Sequence, residues 1–310
     1  MLFDYNINNC GWNNFLDPDW HNITDYKIRY QKPKYINLNY RDELHNAVSA
    51  LPDDNYAILY SGGIDSAIVM QTFYNCNKTF TPFVAEFWLN GKLLNEYELS
   101  FEKEDCSQCN ATPVRIKLDV KQILTKELDR LCNIFPTWHP ERICQMCILE
   151  NIPKGYILVS GAGDPTIYIK NKKLYWSDRS YALHLKMYSE YLGLGKCIWG
   201  LGFTPELCPS LISNPFIKEW FKRINIDNDE SASVYDKDEK MKIYKHYFPE
   251  VKIRKKIVAC NITSIIKKEL PEVMPKIESL PEAWGETCYI PIEDLIKFNT
   301  DKIYDSKFIP

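Results

Sequence analysis

Apolar and polar residues follow one another along the chain in blocks that predict alternating strands and helices. Short apolar runs between polar residues are typical of buried strands, and apolar residues three or four apart are typical of helices. The predicted strands are Asn55–Tyr60, Thr81–Trp88, Pro113–Leu118 and Tyr156–Ser160. The predicted helices are near Asp42–Ala50, Ala67–Tyr74, Leu94–Glu104, Lys121–Cys132 and Pro140–Asn151. This alternation indicates an α/β fold with a doubly wound, parallel sheet.

The pattern changes after about Ser177, where the apolar spacing becomes mainly helical. Helices are predicted there at Tyr181–Tyr191, Phe216–Arg223 and Lys237–Tyr247. Prolines punctuate the remainder, and we find no internal repeat and no low-complexity tract. We therefore expect an N-terminal extension, an α/β domain and a C-terminal tail, at residues 1–50, 51–260 and 261–310.

The composition is that of a globular protein. Of 310 residues, 45% are hydrophobic and 25% are charged, and the net charge is -3. Such a charge gives no broad basic field, so nucleic acid is not expected as a partner. No apolar run is long enough for a membrane span, and the start lacks the basic and apolar stretches of a signal peptide. We expect a cytoplasmic protein in which most of the 11 cysteines are thiols.

The most informative segment is the turn at residues 61–66, Ser-Gly-Gly-Ile-Asp-Ser, between a predicted strand and a predicted helix. Adjacent glycines let the backbone approach a ligand, and the helix N-terminus attracts an anion, so the turn could cradle phosphate. No Gly-Lys-Ser/Thr follows and GxGxxG is absent, which excludes a Walker A loop and a dinucleotide fingerprint. The carboxylate of Asp65 alone would repel phosphate, and a bound Mg²⁺ would reverse that repulsion. An ordinary turn with a helix-starting Asp is the structural alternative. The predicted ligands are Ser61, Gly62, Gly63, Asp65 and Ser66.

The run LYSGGIDSAIV at residues 59–69 resembles the PP-loop of the ATP pyrophosphatases. That superfamily includes asparagine, GMP and argininosuccinate synthetases, tRNA-lysidine and tRNA-thiolation enzymes, and 7-cyano-7-deazaguanine synthases. Its members cleave ATP between the α- and β-phosphates, adenylate a substrate oxygen, and let a nucleophile displace AMP. The resemblance implies an adenine nucleotide alpha hydrolase-like fold with a five-stranded parallel sheet, and it implies ATP and Mg²⁺ as ligands.

Later segments resemble the synthetase domain of asparagine synthetases over about residues 50–260. Tyr156–Asp164 is similar to a strand followed by SGxGxDE, Ile212–Ile217 to R-x-PFLD, and Tyr244–Lys256 to a Lys/Arg-rich segment. The resemblance implies that a second glycine turn, at residues 161–164, lines the acceptor side, and that its aspartate holds a second Mg²⁺ or orients the amine. It also implies that basic residues of the Lys/Arg-rich segment neutralise pyrophosphate. The alternatives are a capping aspartate and a solvated basic face. The residues concerned are Gly161, Gly163, Asp164, Arg254 and Lys256.

The chain also departs from the asparagine synthetase pattern. Ala162 stands where that pattern has a glutamate between the glycines, and Lys218 replaces the final Asp of R-x-PFLD. We therefore expect a changed acceptor, still a small molecule with a carboxylate. Leu2 stands where the family's glutaminase domain has its nucleophilic cysteine. The expected nitrogen donor is free ammonia, an amine, or ammonia from a separate subunit.

Two CxxC pairs, Cys106/Cys109 and Cys144/Cys147, could supply four thiolates to Zn²⁺. They could equally be core thiols, and a sheet order like that of the superfamily would put the two pairs on opposite faces of the sheet. If they bind metal or carry sulfur, the alternative is a PP-loop nucleobase- or tRNA-modifying enzyme, for which nucleic acid is a partner. A third possibility is a non-catalytic nucleotide-binding protein. We expect an AMP- and pyrophosphate-forming, asparagine synthetase-like carbon–nitrogen ligase.

Overall fold

The computed structural model describes residues 12–16, 26–30, 35–134, 137, 139–162, 166–170, 173–178, 183–195, 197–204, 206–215, 217–219, 232–233, 237–254, 262–280, 288–293 and 302–305. Over these residues the strands form three sheets. No helix in these ranges is both long enough and apolar enough to cross a membrane.

The strands are β1 (Trp12–Leu16), β2 (Tyr26–Tyr30), β3 (Tyr56–Tyr60), β4 (Phe80–Leu89), β5 (Lys92–Leu93), β6 (Val114–Asp119), β7 (Ile157–Ser160), β8 (Thr166–Lys170), β9 (Lys173–Asp178), β10 (Cys197–Trp199), β11 (Ala232–Ser233), β12 (Cys288–Pro291) and β13 (Lys302–Asp305). The helices are α1 (Tyr40–Ser49), α2 (Ile64–Asn75), α3 (Glu96–Leu99), α4 (Glu102–Gln108), α5 (Val120–Gln122), α6 (Leu128–Ile134), α7 (Pro140–Leu149), α8 (Leu183–Tyr191), α9 (Leu207–Ile212), α10 (Lys237–Tyr247), α11 (Ile262–Glu269) and α12 (Met274–Glu278). A π-helical stretch, Ile123–Glu127, joins α5 to α6, and a 3₁₀ turn, Pro271–Val273, precedes α12.

The central sheet has the strand order β10-β7-β3-β4-β6, and each neighbouring pair in that order is parallel. The predicted α/β class with a mostly parallel central sheet is therefore confirmed. The sheet has six strands rather than five, because β5 folds back antiparallel onto the end of β4. Asn90 and Gly91 between them have φ values of 50° and 77°, as a two-residue hairpin turn requires.

Both faces of the parallel sheet are buried, and each face has its own hydrophobic cluster. Ile58 and Val84 belong to the cluster formed with α1, α2 and α4. Ala57 and Ala85, their neighbours along the strands, belong to the cluster formed with α7, α8 and α11. Because alternate strand residues face opposite sides, strands covered on both faces are apolar throughout, as the sequence pattern shows.

The described residues also form two antiparallel sheets, which the sequence pattern did not indicate. Their strand orders are β11-β8-β9-β12 and β1-β2-β13. The region after Ser177 contains the predicted helices α8 and α10, but the expectation of a mainly helical C-terminal part omitted β10 to β13. Of the predicted helix Phe216–Arg223, the structure describes residues 217–219, which are helical. The boundaries at residues 50 and 260 stay predictions.

Three turns follow β3, β7 and β10 at the same edge of the sheet, because parallel strands have their carboxyl ends together. The N–H of Gly200, after β10, donates to the carbonyl of Ser160 at 2.8 Å. The N–H of Leu201 donates to the carbonyl of Ala162 at 3.0 Å. Open α/β sheets bind ligands at this edge, so the turns after β3 and β7 define the candidate site.

Candidate active site

The turn between β3 and α2 is closely packed at its first glycine. Gly62 has a φ of +75°, which favours glycine. A Cβ at Gly62 would lie 2.1 Å from the carbonyl oxygen of Glu98, so no side chain fits there. Gly63 has an ordinary φ of -78° and is the N-cap of α2. Since glycine has no side chain to cap the first N–H groups of α2, those groups are suited to an anion.

Two serine hydroxyls hold the shape of this turn. Ser66 is buried, and its Oγ donates to the carbonyl of Gly63 at 2.9 Å and accepts from the N–H of Ser61 at 3.3 Å. The Oγ of Ser61 lies 3.3 Å from the Oγ of Ser66, and Ser61 is exposed. Ser66 therefore fixes the turn from within, and Ser61 presents a hydroxyl on its open side.

The turn after β7 packs directly on the first turn of α2. A Cβ at Gly161 would lie 2.8 Å from the backbone nitrogen of Ser66. The two predicted glycine turns are thus neighbours at the edge of the sheet. Gly163, Asp164 and Lys256 lie outside the described residues, so their predicted roles stay predictions.

Asp65, in the first turn of α2, pairs with a lysine from a distant helix. The ammonium of Lys240, in α10, lies 2.7 Å from Oδ1 of Asp65. The Lys240 side chain is only 14% exposed, whereas that of Asp65 is 32% exposed. The ammonium also lies 5.4 Å from the centre of the Tyr244 ring. A mostly buried cation therefore stands beside the glycine turn.

Arg254 is buried against the other side of the turn. Its Nε donates to the carbonyl of Gly62 at 2.9 Å, and both terminal nitrogens donate to the carboxylate of Asp105. One of them also donates to the hydroxyl of Tyr60 at 3.2 Å, and that hydroxyl donates to Asp105 at 2.5 Å. The guanidinium lies 4.6 Å from the centre of the Phe101 ring. We call Arg254, Asp105 and Tyr60 the loop brace.

The charges of the loop brace follow from its contacts. Burial alone would lower the pKa of Arg254, but the hydrogen bonds with Asp105 and the neighbouring negative charges raise it above its ordinary value. Burial, followed by the charge of Asp105, raises the pKa of Tyr60 far above its ordinary value. Arg254 is therefore charged and Tyr60 neutral at physiological pH. In this structure Arg254 acts on the backbone of the turn, and its predicted contact with pyrophosphate stays a prediction.

A buried glutamate lies on the remaining side of the turn. Glu98, in α3, is 4% exposed, and its backbone is the surface that excludes a side chain at Gly62. Neither carboxylate oxygen of Glu98 has a hydrogen-bond partner among the described residues. By contrast, Glu86 and Glu102 pair with Arg115 at 3.2 Å and 3.0 Å. A buried carboxylate without a partner is costly, so Glu98 is a group that a bound cation would stabilise.

The two CxxC pairs do not meet, which corrects the suggestion of a shared zinc site. Cys106 and Cys109 lie in the hydrophobic cluster with α2, whereas Cys144 and Cys147 lie in the cluster on the opposite face of the sheet. In the part of the chain that the structure describes, no group of three or more His, Cys, Asp or Glu residues could hold a metal ion. Burial raises the pKa of Cys106, Cys109 and Cys147 to about 12, so these thiols are protonated at neutral pH.

Sequence reasoning missed three residues that surround the glycine turn: Lys240, Asp105 and Glu98. None stands in a recognisable motif, and Lys240 and Arg254 reach the turn only through tertiary packing. Glu98 comes shortly after the predicted strand at 81–88. Since this strand is a parallel neighbour of the one before the glycine turn, the order of strands could have placed the segment that contains Glu98 beside the turn. Asp105 stands among other acidic residues of α4, so its local pattern does not distinguish it from a residue that faces water.

No protein-family model matches the chain, and no curated protein matches it. Among solved structures, an NH3-dependent NAD synthetase from Campylobacter jejuni subsp. jejuni NCTC 11168, in complex with the nitrate ion, superposes with a TM-score of 0.31 at 12% sequence identity. The superposition covers 77% of this chain and 89% of that chain.

Proposed function

We propose that the protein is an ATP-dependent, AMP- and pyrophosphate-forming ligase. It adenylates a carboxylate or similar oxygen of a small molecule, which ammonia or an amine then attacks. The observation that supports this most is the turn between β3 and α2: it lies at the carboxyl edge of the parallel sheet, its Gly63 leaves the start of α2 without a side-chain cap, and Gly161 of the second turn packs against it. The chemistry is asparagine synthetase-like, with an acceptor other than aspartate because Ala162 and Lys218 depart from that pattern.

The turn is suited to hold the β- and γ-phosphates. The N–H groups of the first turn of α2 and the helix dipole favour an anion, and Gly63 offers no competing side-chain acceptor. The exposed hydroxyl of Ser61 adds a donor. The loop brace holds the carbonyl of Gly62 at 2.9 Å from Arg254, which turns that carbonyl away from the phosphates and toward a buried cation. Such a preorganised set of donors needs no rearrangement as the charge on pyrophosphate grows.

The carboxylates around the turn suit Mg²⁺, which prefers oxygen ligands. Asp65 is partly exposed on the first turn of α2, and Glu98 is a buried carboxylate without a described partner. These two residues would hold the ion, which supplies positive charge to the leaving pyrophosphate. The residues of the chain orient the nucleotide: Ser66 fixes the turn, and Gly161 keeps the second turn close enough to bring an acceptor to the α-phosphate.

The experiment that tests the proposal is incubation of the protein with α-labelled ATP, Mg²⁺, ammonium and a panel of carboxylic acids. We expect AMP, not ADP, and its formation should depend on one class of acid. Asp65→Ala should abolish AMP formation, because it removes the carboxylate from the turn. Asp53→Ala is the matched control, since that aspartate is 98% exposed and should leave turnover unchanged. ADP as the product, or full activity in Asp65→Ala, would overturn the proposal.

The alternative of a nucleobase- or tRNA-modifying enzyme depended on the CxxC pairs. Because those pairs lie on opposite faces of the sheet, they cannot bind one ion together in this structure. Stoichiometric zinc or iron in the purified protein would revive that alternative. ATP binding without any turnover would instead support a non-catalytic nucleotide-binding protein.

A further inference from the structure

The ion pair between Lys240 and Asp65 joins two distant parts of the chain at the glycine turn. The N–O distance is 2.7 Å, and the lysine side chain is mostly buried. Lys240 approaches from α10, with the Tyr244 ring 5.4 Å from its ammonium. The ion pair therefore brings a mostly buried ammonium group to the first turn of α2.

This position is electrostatically unfavourable for a lysine considered alone. The N-terminus of a helix carries partial positive charge, which favours anions and disfavours an ammonium group. Removing an ion pair from water also costs desolvation energy, so a mostly buried pair is weak evidence for a role in stability. Asp65 compensates the ammonium in the free protein. A bound polyphosphate would compensate the helix and Lys240 together.

We propose that Lys240 is a phosphate-binding residue of this site, and that Asp65 holds it in place until the nucleotide arrives. On binding, the ammonium moves from the Asp65 carboxylate to the phosphate chain, and the carboxylate becomes available to the cation that accompanies the nucleotide. The inference rests on the proposed function and names the part of the ligand that Lys240 recognises. That part is the pyrophosphate moiety, shared by ATP and the released product, and not the nucleoside or the α-phosphate alone.

The test compares the binding of inorganic pyrophosphate, ATP and AMP by isothermal titration calorimetry, in the wild type and in Lys240→Met. Lys240→Met removes a charged hydrogen-bond donor from the site, so pyrophosphate and ATP should bind about 10- to 100-fold more weakly. AMP binding should change less than about 2-fold. Lys240→Arg should recover most of the affinity, because it keeps the charge. Lys245→Met is the matched control, an exposed lysine on the same helix.

A second measurement separates ligand binding from a structural role. In Asp65→Asn the ion pair with Lys240 is lost, so pyrophosphate without Mg²⁺ should bind several-fold more tightly than to the wild type. Adding Lys240→Met to Asp65→Asn should remove that gain. A purely structural ion pair would lower the melting temperature in both single variants and produce neither effect.

The outcomes are distinct for the two proposals. If the wild type binds neither ATP nor pyrophosphate, the proposed function fails and this inference fails with it. If the wild type binds both and folded Lys240→Met binds them equally well, only the inference about Lys240 is wrong. Should Lys240→Met not fold, the absence of a gain in folded Asp65→Asn overturns the inference.

Discussion

Removing one partner of the buried ion pair between Arg254 and Asp105 should destabilise the protein far more than replacing both partners by apolar residues. Arg254 and Asp105 are 7% and 4% exposed, and two guanidinium donors meet the carboxylate. Among the described residues, Asp105→Leu leaves the buried guanidinium hydrogen-bonded only to the Gly62 carbonyl and the Tyr60 hydroxyl. Within the same residues, Arg254→Met leaves the buried carboxylate hydrogen-bonded only to the Tyr60 hydroxyl. Removal of one partner of a buried ion pair costs about 3–5 kcal/mol, so each single variant should lose that much unfolding free energy.

The double variant, Asp105→Leu with Arg254→Met, places two apolar side chains beside the Phe101 ring. Replacing a buried ion pair by apolar groups is often neutral, so the double variant should be less destabilised than either single variant. Urea unfolding followed by circular dichroism gives all four free energies, and we expect a coupling energy of at least about 3 kcal/mol. Losses that add within about 0.5 kcal/mol would refute the reasoning. Even when stable, the double variant should bind ATP more weakly, because the Gly62 carbonyl has lost its donor.

Three further predictions follow, one for the glycine turn and two for the thiols. Gly62→Ala should lower the unfolding free energy measured in urea by more than about 2 kcal/mol, because a positive φ and contact with a backbone carbonyl both oppose a Cβ. Gly63→Ala should lower it by less than about 1 kcal/mol. Equal losses in the two variants would contradict this prediction. Cys106, Cys109 and Cys147 should resist alkylation at pH 8 in the folded protein and react once it is unfolded in urea. Mass mapping of the labelled peptides measures both rates. If the three thiols were alkylated as fast in the folded protein as in urea, their burial would be contradicted. Burial raises the pKa of these thiols from 9.0 to about 12, so between these pH values the folded state keeps protons that the unfolded state loses. The contribution of the thiols to the unfolding free energy should therefore stay level below about pH 9 and fall between pH 9 and 12. An unfolding free energy that rises over that interval would refute the raised pKa of these thiols.

The local part of the fold could be predicted from the sequence because its signals are local. The strand ending at Tyr60, the glycine turn and the helix beginning at Ile64 depend on residues that are neighbours in the chain. The predicted helix Lys237–Tyr247 has the bounds that the structure gives, and its apolar residues recur with helical spacing at Met241, Tyr244 and Tyr247. Parallel strands buried on both faces are recognisable as apolar runs.

The surroundings of the glycine turn could not be predicted in the same way. Lys240 and Arg254 meet the turn through tertiary packing, and a charged residue in a helix has the same local pattern whether it faces water or a site. The antiparallel strands β8 and β9 were missed although TIYIK and KLYWSD alternate apolar and polar residues. Their neighbours in the sheet, β11 and β12, come from far along the chain, so no short hairpin pattern marks the sheet as a whole.

The hydrogen bond from Arg254 to the Gly62 carbonyl spans 192 positions of the chain. During synthesis the glycine turn therefore leaves the ribosome long before the residue that completes it. A nascent or truncated chain ending before Arg254 has the whole motif but lacks its tether, and it should acquire nucleotide affinity only when the chain extends past Arg254. The recognisable motif is thus not an autonomous module, and closure of this long-range contact belongs among the late events of folding.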